Sequence, residues 1–218
     1  MNYFFLTNTM LFRGISAEDA ETMLGCLGSH EKTYEKGNII YHAGECVDSM
    51  GMVLSGSVNI EIDDLWGNKT ILGHVEAGGL FAETYACVPG EPLMVNVVAC
   101  EKSAILFLGI SRLLTTCSNS CTHHNKLIQN LLQISSQKNL ALSRRSLHTS
   151  SKSIRGRLLS YLSEQAKQNG SYQFTIPFNR QQLADYLGVD RSAMSNELSK
   201  MQSEGVITFE KNRFSLVT

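Results

Sequence analysis

The stretch Phe178–Ile207, FNRQQLADYLGVDRSAMSNELSKMQSEGVI, reads as two short helices joined by a glycine turn. In the first, roughly Arg180 to Leu187, the residues Leu183, Ala184 and Leu187 fall on one face, while Gln181, Gln182 and Asp185 point away from it. Gly188 ends this helix, since a residue without Cβ takes a left-handed turn cheaply. Asp190 is placed to cap a second helix, about Arg191 to Glu204, whose Ala193, Met194, Leu198 and Met201 form a stripe at helical spacing. Arg191, Ser192, Ser195, Asn196 and Ser199 are left facing outward. Such a face is either simply solvated or made for a partner.

The flanking sequence favours a partner. Val206–Glu210 and Arg213–Val217 are alternating runs separated by Lys211-Asn212, where asparagine is expected to take the positive φ of a tight hairpin. Phe174-Thr175-Ile176, closed by Pro177, is a short strand ahead of the helices. A helical pair bounded by a strand and a terminal hairpin is a winged helix-turn-helix, which lays the start of its second helix in the DNA major groove. Arg191 suits guanine O6 and N7, Asn196 suits adenine N6 and N7, and Ser192 and Ser195 assist. Arg180, Lys211 and Arg213 are expected to meet phosphate.

The charge distribution agrees. The chain of 218 residues has a net charge of −1, yet from Arg144 onward it carries about five net positive charges and before that about six net negative ones. The length fits about two domains, read as 1–109 for an effector barrel with an N-terminal helical segment, 110–145 for a helical linker and dimerisation helix, and 146–218 for the winged helix-turn-helix. The opening Met1-Asn2-Tyr3-Phe4-Phe5-Leu6 lacks the basic start and long apolar core of a signal peptide, and no run reaches membrane-span length, so a cytoplasmic protein is expected. Six cysteines at irregular spacing are then expected as free thiols.

Residues 31–108 read as all-β. Ile39–Tyr41, Met52–Leu54, Val58–Ile62, Thr70–Leu72 and Ile105–Phe107 recur about every ten residues, with glycines such as Gly44, Gly51, Gly56, Gly67 and Gly73 expected at the corners between them. This spacing suits a jelly-roll barrel, making the whole an α+β chain. A long helix is predicted over His123–Arg144, preceded by a helical piece near Ser111–Cys117. In it His124, Ile128, Leu131, Ser135, Lys138 and Leu142 repeat in steps of four and three, widened by Leu127 and Ile134. The band is expected to be covered half by the barrel and half by a second copy, giving a parallel homodimer on palindromic DNA half-sites; the alternative is burial wholly within one chain. Cys117, Cys121 and His124 share a face if helix extends back through them. They are a candidate metal or thiol-switch group, which Cys87 of the barrel would approach, and packing is the plainer reading of such residues.

The order barrel, long helix, winged helix-turn-helix resembles the CRP/FNR family of bacterial transcription regulators over almost the entire chain. The residues that carry it are Lys36-Gly37-Asn38-Ile39-Ile40-Tyr41, Leu54-Ser55-Gly56-Ser57-Val58, Asn179-Arg180-Gln181-Gln182-Leu183-Ala184 and Gly188-Val189-Asp190-Arg191-Ser192. The resemblance implies a homodimer whose barrel senses an effector and whose long helices transmit it to two DNA-binding domains. Family members that bind cyclic nucleotides hold the phosphate with a glutamate, here Glu83, and an arginine-serine pair, whose place is taken here by Leu93-Met94. Two apolar side chains offer phosphate neither cation nor donor, so cyclic AMP is not expected. Glu83, Leu93, Met94 and His124 remain the candidate contacts of an unknown small effector, expected to be uncharged or aromatic. The N-terminal cysteine cluster of the family's iron–sulfur sensors is reduced to Cys26. Arg191 matches the family's first base-reading arginine, while Ser192 and Asn196 stand where a glutamate and a second arginine are frequent.

The sequence is compatible with three classes of function. The first is an effector-controlled dimeric transcription regulator, which would meet RNA polymerase if it activates. The second is an effector-independent DNA-binding protein with a vestigial barrel. The third, an enzyme, is disfavoured because jelly rolls that do chemistry gather several His and carboxylate ligands, whereas His42 and His74 are isolated from one another in the sequence.

Overall fold

The computed structural model describes residues 1–63, 69–114 and 122–217, in two compact units, Met1–Ser136 and Gln137–Thr218. Unit 1 begins with helices α1 (Tyr3–Thr7) and α2 (Ala17–Cys26), where the sequence leads to a helical segment ahead of the barrel without separate bounds. Strands β1 (His30–Tyr34), β2 (Ile39–Tyr41), β3 (Ser49–Ser55), β4 (Ser57–Asp63), β5 (Lys69–Glu76) and β6 (Leu80–Phe81) follow. A short α3 (Glu83–Ala86) precedes β7 (Asn96–Ala99), β8 (Ser103–Gly109) and α4 (Ile110–Leu114). The long α5 (Thr122–Thr149) starts in this unit and ends in the next, so the helix set apart as 110–145 in sequence is shared between the two.

The strands form two four-stranded antiparallel sheets, β1-β8-β3-β6 and β2-β7-β4-β5, the double-sheet arrangement expected for a jelly roll. Within the first sheet, β3 and β8 are buried on both faces, whereas the edge strand β1 is largely exposed. Val53 of β3 and Ile105 and Phe107 of β8 turn inward to Val58, Val97 and Phe81 of the interior. Met50, Met52, Leu106 and Leu108 turn outward into a second core with Leu11, Phe12, Leu24, Leu127 and Leu131. Burial from both sides explains why β3 and β8 are almost uninterrupted apolar runs rather than alternating ones. Gly51 lies inside β3 rather than at a corner: a Cβ there would come within 2.0 Å of the Phe81 ring. Tyr34, Tyr41, Phe81 and Phe107 pack edge to face across the interior.

Asn130, buried on α5, donates to the carbonyls of Leu11 at 2.8 Å and Arg13 at 2.9 Å, so the N-terminal segment is tied to the long helix by hydrogen bonds. The same segment helps to bury Leu127 and Leu131. The band on α5 is thus covered in part by unit 1. His124 and Leu131 are buried and Ile128 packs against the same core, whereas Leu132, Leu140, Leu142 and Leu147 are 66%, 56%, 65% and 62% exposed.

Unit 2 contains the end of α5, then α6 (Ile154–Asn169), β9 (Gln173–Thr175), α7 (Arg180–Leu187), α8 (Arg191–Ser203), β10 (Ile207–Glu210) and β11 (Arg213–Leu216). Helix α6 went unread in the sequence, although Ser153 caps its start and Gly170 its end. Its Leu158, Tyr161, Leu162 and Ala166 meet Leu183, Leu187, Met194, Leu198 and Phe214 in one core, at about 1.5–3 kcal/mol for each large side chain buried. Strands β10-β11-β9 form the antiparallel wing sheet. The hairpin turn differs from expectation in one residue: Lys211, at φ 52°, takes the positive φ, and Asn212 instead donates its side-chain N–H to the Ile176 carbonyl at 3.1 Å. Anchored there, asparagine joins the wing tip to the end of the first strand.

Candidate nucleic-acid interface

Helix α7 is fixed at its start by a reciprocal capping box. The Asn179 side chain accepts from the Gln182 N–H, and the Gln182 side chain accepts from the Asn179 N–H, both at 2.9 Å. Gly188, at φ 63°, turns the chain, and the Asp190 carboxylate accepts from the Ala193 N–H at 2.8 Å to begin α8. Met194, Leu198 and Met201 are buried, Ala193 and Ser195 are half-buried, and Arg191, Ser192, Asn196 and Ser199 are exposed. The Ser195 hydroxyl donates to the Arg191 carbonyl at 2.9 Å, which leaves it free to accept from a base but not to donate. The three exposed candidate base readers, Arg191, Ser192 and Asn196, therefore lie on one short surface at the start of α8.

Much of the positive charge of this unit serves as a frame. Arg155 of α6 pairs with Glu197 of α8 at 3.5 Å and with Glu204 just beyond it, and the hydrogen bond to Glu204 holds its guanidinium above the ordinary pKa. Arg157 of α6 donates to the carbonyls of Leu187 and Gly188, both at 2.9 Å. Arg145 of α5 donates to those of Asp185 and Tyr186, both at 3.0 Å. Two cations thus meet the carbonyl end of α7, where intrahelical donors run out and the helix dipole is negative. Arg180 lies 4.7 Å from the Phe209 ring centroid and 5.2 Å from that of Phe214, and burial there lowers its pKa. Arg191, Lys200, Lys211 and Arg213 are exposed. Arg180 also borders a cavity of about 460 Å³ between the start of α7 and the wing tip, where Lys211 and the first turn of α7 converge. The sequence signals the base readers but not the frame, because Arg145 and Arg155 find partners 40 or more residues away.

The candidate effector residues do not share one environment. Glu83 and Leu93 are buried in the barrel unit, Met94 is 69% exposed, and His124 is buried at the start of α5. Glu83 opens α3 directly after Ala82, a non-glycine residue held in left-handed conformation at φ 58°. Neither the buried Leu93 nor the exposed Met94 side chain offers a phosphate a cation or a hydrogen-bond donor. Cys117 and Cys121 lie outside the described residues. Among the described residues no group of three or more His, Cys, Asp or Glu is placed to hold a metal, and Cys26, Cys46, Cys87 and Cys100 are free thiols. Burial, and secondarily Glu83, push the Cys87 thiol pKa up. No helix among the described residues is long and apolar enough to cross a membrane.

Residues 31–120 match the cyclic nucleotide-binding domain profile, and residues 156–217 match the Crp-like helix-turn-helix domain profile. The chain is similar to the transcriptional activator protein FnrL of Cereibacter sphaeroides, with 38% identity over 50 residues, which is 23% of this chain; the match spans only 20% of that relative's length. Among solved structures it is similar to the catabolite activator protein of Thermus thermophilus, at TM-score 0.54 and 22% identity over 96% of this chain and 94% of the other. It is also similar to the c-di-GMP responsive global regulator CLP of Xanthomonas campestris, at TM-score 0.53 and 19% identity over 92% and 100%. These structural likenesses show the fold. With a cyclic nucleotide-binding domain followed by a Crp-like helix-turn-helix, the chain belongs to the CRP/FNR family of transcription regulators.

Proposed function

We propose that this chain is a sequence-specific DNA-binding transcription regulator that works as a homodimer on palindromic duplex DNA. The observation that carries the reading is the start of α8, where Arg191, Ser192 and Asn196 are exposed together on a helix whose other side is buried. Bidentate donors of this kind suit major-groove edges. Exposed Lys200, Lys211 and Arg213, with the cavity beside Arg180, supply the phosphate contacts that set register.

Dimerisation is assigned to α5. Leu132, Leu140 and Leu147 recur on a side of the helix away from the buried Leu127 and Asn130, which suits a second copy of the same helix. Effector sensing is assigned to the barrel unit or the start of α5, with Cys117, Cys121 and His124 as the candidate metal or thiol group. Cyclic AMP is not the expected effector, given Leu93 and Met94. A barrel interior filled by Tyr34, Phe81 and Phe107 keeps the effector-independent regulator in view as the second reading. Contact with RNA polymerase belongs to the reading only if the protein activates.

The test is in vitro selection from a randomised duplex pool with the full chain. Enrichment of a two-fold symmetric motif supports the reading. Recovery of unrelated sequences, or of none, overturns it.

A further inference from the structure

We propose that Arg145 and His148, near the end of α5, are positioning residues that fix the direction in which the long helix joins the helix-turn-helix, and thereby set the half-site spacing that the dimer accepts. The inference rests on the dimeric DNA-binding reading above and assigns that reading's geometry to two residues whose observed bonds run to other helices of the same unit.

Arg145 and His148 are three residues apart, so they project from neighbouring positions on one helical face. Both reach Tyr186, near the end of the first helix of the helix-turn-helix. The Arg145 guanidinium donates to its carbonyl and to that of Asp185 at 3.0 Å each, and lies 5.9 Å from its ring centroid. The His148 Nδ1 lies 2.9 Å from the Tyr186 hydroxyl. On its other edge, the Nε2 lies 2.5 Å from a Glu164 carboxylate oxygen on α6, and Arg144 approaches the same carboxylate at 3.6 Å. His148 is 2% exposed and packs edge-on against Tyr161 at 5.4 Å. Three helices therefore meet at one imidazole and one guanidinium.

Directional bonds distinguish this junction from an ordinary core contact. Apolar packing of similar volume holds helices together as well as a buried polar pair does, and often better, but it tolerates sliding and rotation. Hydrogen bonds at both ring nitrogens and a forked guanidinium on two successive carbonyls define an orientation, because they weaken steeply off axis. The junction captures α7 at its carbonyl end, directly before the Gly188 turn that aims α8. A change in the angle of α5 at this point would redirect both recognition helices of a dimer relative to one another, and a two-fold site reads that angle as half-site spacing.

The experiment uses the full chain and its selected operator, together with operators lengthened and shortened by one base pair at the centre. Affinities are measured for wild type, Arg145→Ala and His148→Gln, and thermal melting is followed in parallel. The expected result is that the wild type's preference for the native spacing shrinks by about tenfold in each variant, roughly the worth of one weak charge-assisted hydrogen bond. Base preference within a half-site is expected to persist. A residue that only stabilises the fold would lower all the affinities together and leave the spacing ratio intact, and that outcome overturns the proposal. If Arg145→Ala does not fold, Arg145→Lys, which keeps the charge but loses the fork, is read in the same way. Absence of any sequence preference in the wild type would instead strike the DNA-binding reading itself.

Discussion

Arg191 opens α8 with an exposed guanidinium two residues from the Ala193 N–H that the Asp190 carboxylate caps. Arg191→Ala is expected to cost about 1–3 kcal/mol on the selected operator and to relax preference at one base pair, read by titration against single-base variants. Tyr161 makes a different point: its hydroxyl is buried and has no hydrogen-bond partner. Tyr161→Phe removes an unsatisfied group, so thermal melting should show unchanged or higher stability, by up to about 1 kcal/mol, with DNA affinity unaltered. Cys87 is exposed, yet its thiol pKa is raised. A raised pKa leaves less thiolate near neutral pH, so alkylation of Cys87 should be slow there and accelerate as the pH rises beyond the ordinary thiol range. Fast labelling at neutral pH would contradict that environment. At this scale the sequence discloses residues that act where they stand. The caps Asp190 and Gly188 and the readers Arg191 and Asn196 follow from local spacing, whereas His148 acquires its role only when Glu164 and Tyr186 fold against it.

Helix α5 is the element whose sequence is hardest to apportion. Its apolar residues occupy several directions, and the four-three steps through His124 and Leu131 do not state which half of the band the barrel covers and which half is left for a second copy. Folding assigns both to the core of unit 1, where the N-terminal segment joins the barrel in covering them. The exposed leucines are what remains for association. Leu140→Glu should convert a dimer to a monomer by sedimentation while leaving melting of the chain within about 0.5 kcal/mol, as expected of a surface site. A loss of fold would show that Leu140 is buried by its own chain. Helix α6 escaped the sequence reading because its apolar positions are mixed with half-buried polar ones, although its caps were in place. Strands β3 and β8 were found but not their double burial, since an apolar run does not state what covers each side. Gly51 is explained only by the Phe81 ring lying over it. Gly51→Ala should therefore destabilise by about 1–3 kcal/mol as the ring is displaced.

For the whole molecule, the uneven charge is a weaker guide than its arithmetic suggests. Arg145, Arg155, Arg157 and Arg180 brace helices and wing, so the cations left to meet DNA are chiefly Arg191, Lys200, Lys211 and Arg213. If Lys200, Lys211 and Arg213 of each subunit contact phosphate, six contacts give a slope of about −5 for log affinity against log salt. The architecture was legible from strand spacing, the long helical repeat and the glycine turn, while the effector was not, since it depends on what surrounds Glu83 and His124 in three dimensions. The measurement that bears most directly on the central claim is a titration of the full chain against its selected operator and a shuffled duplex at one fixed salt concentration. The account predicts that the operator is bound about a thousandfold or more tighter; equal affinity for the two duplexes would contradict it.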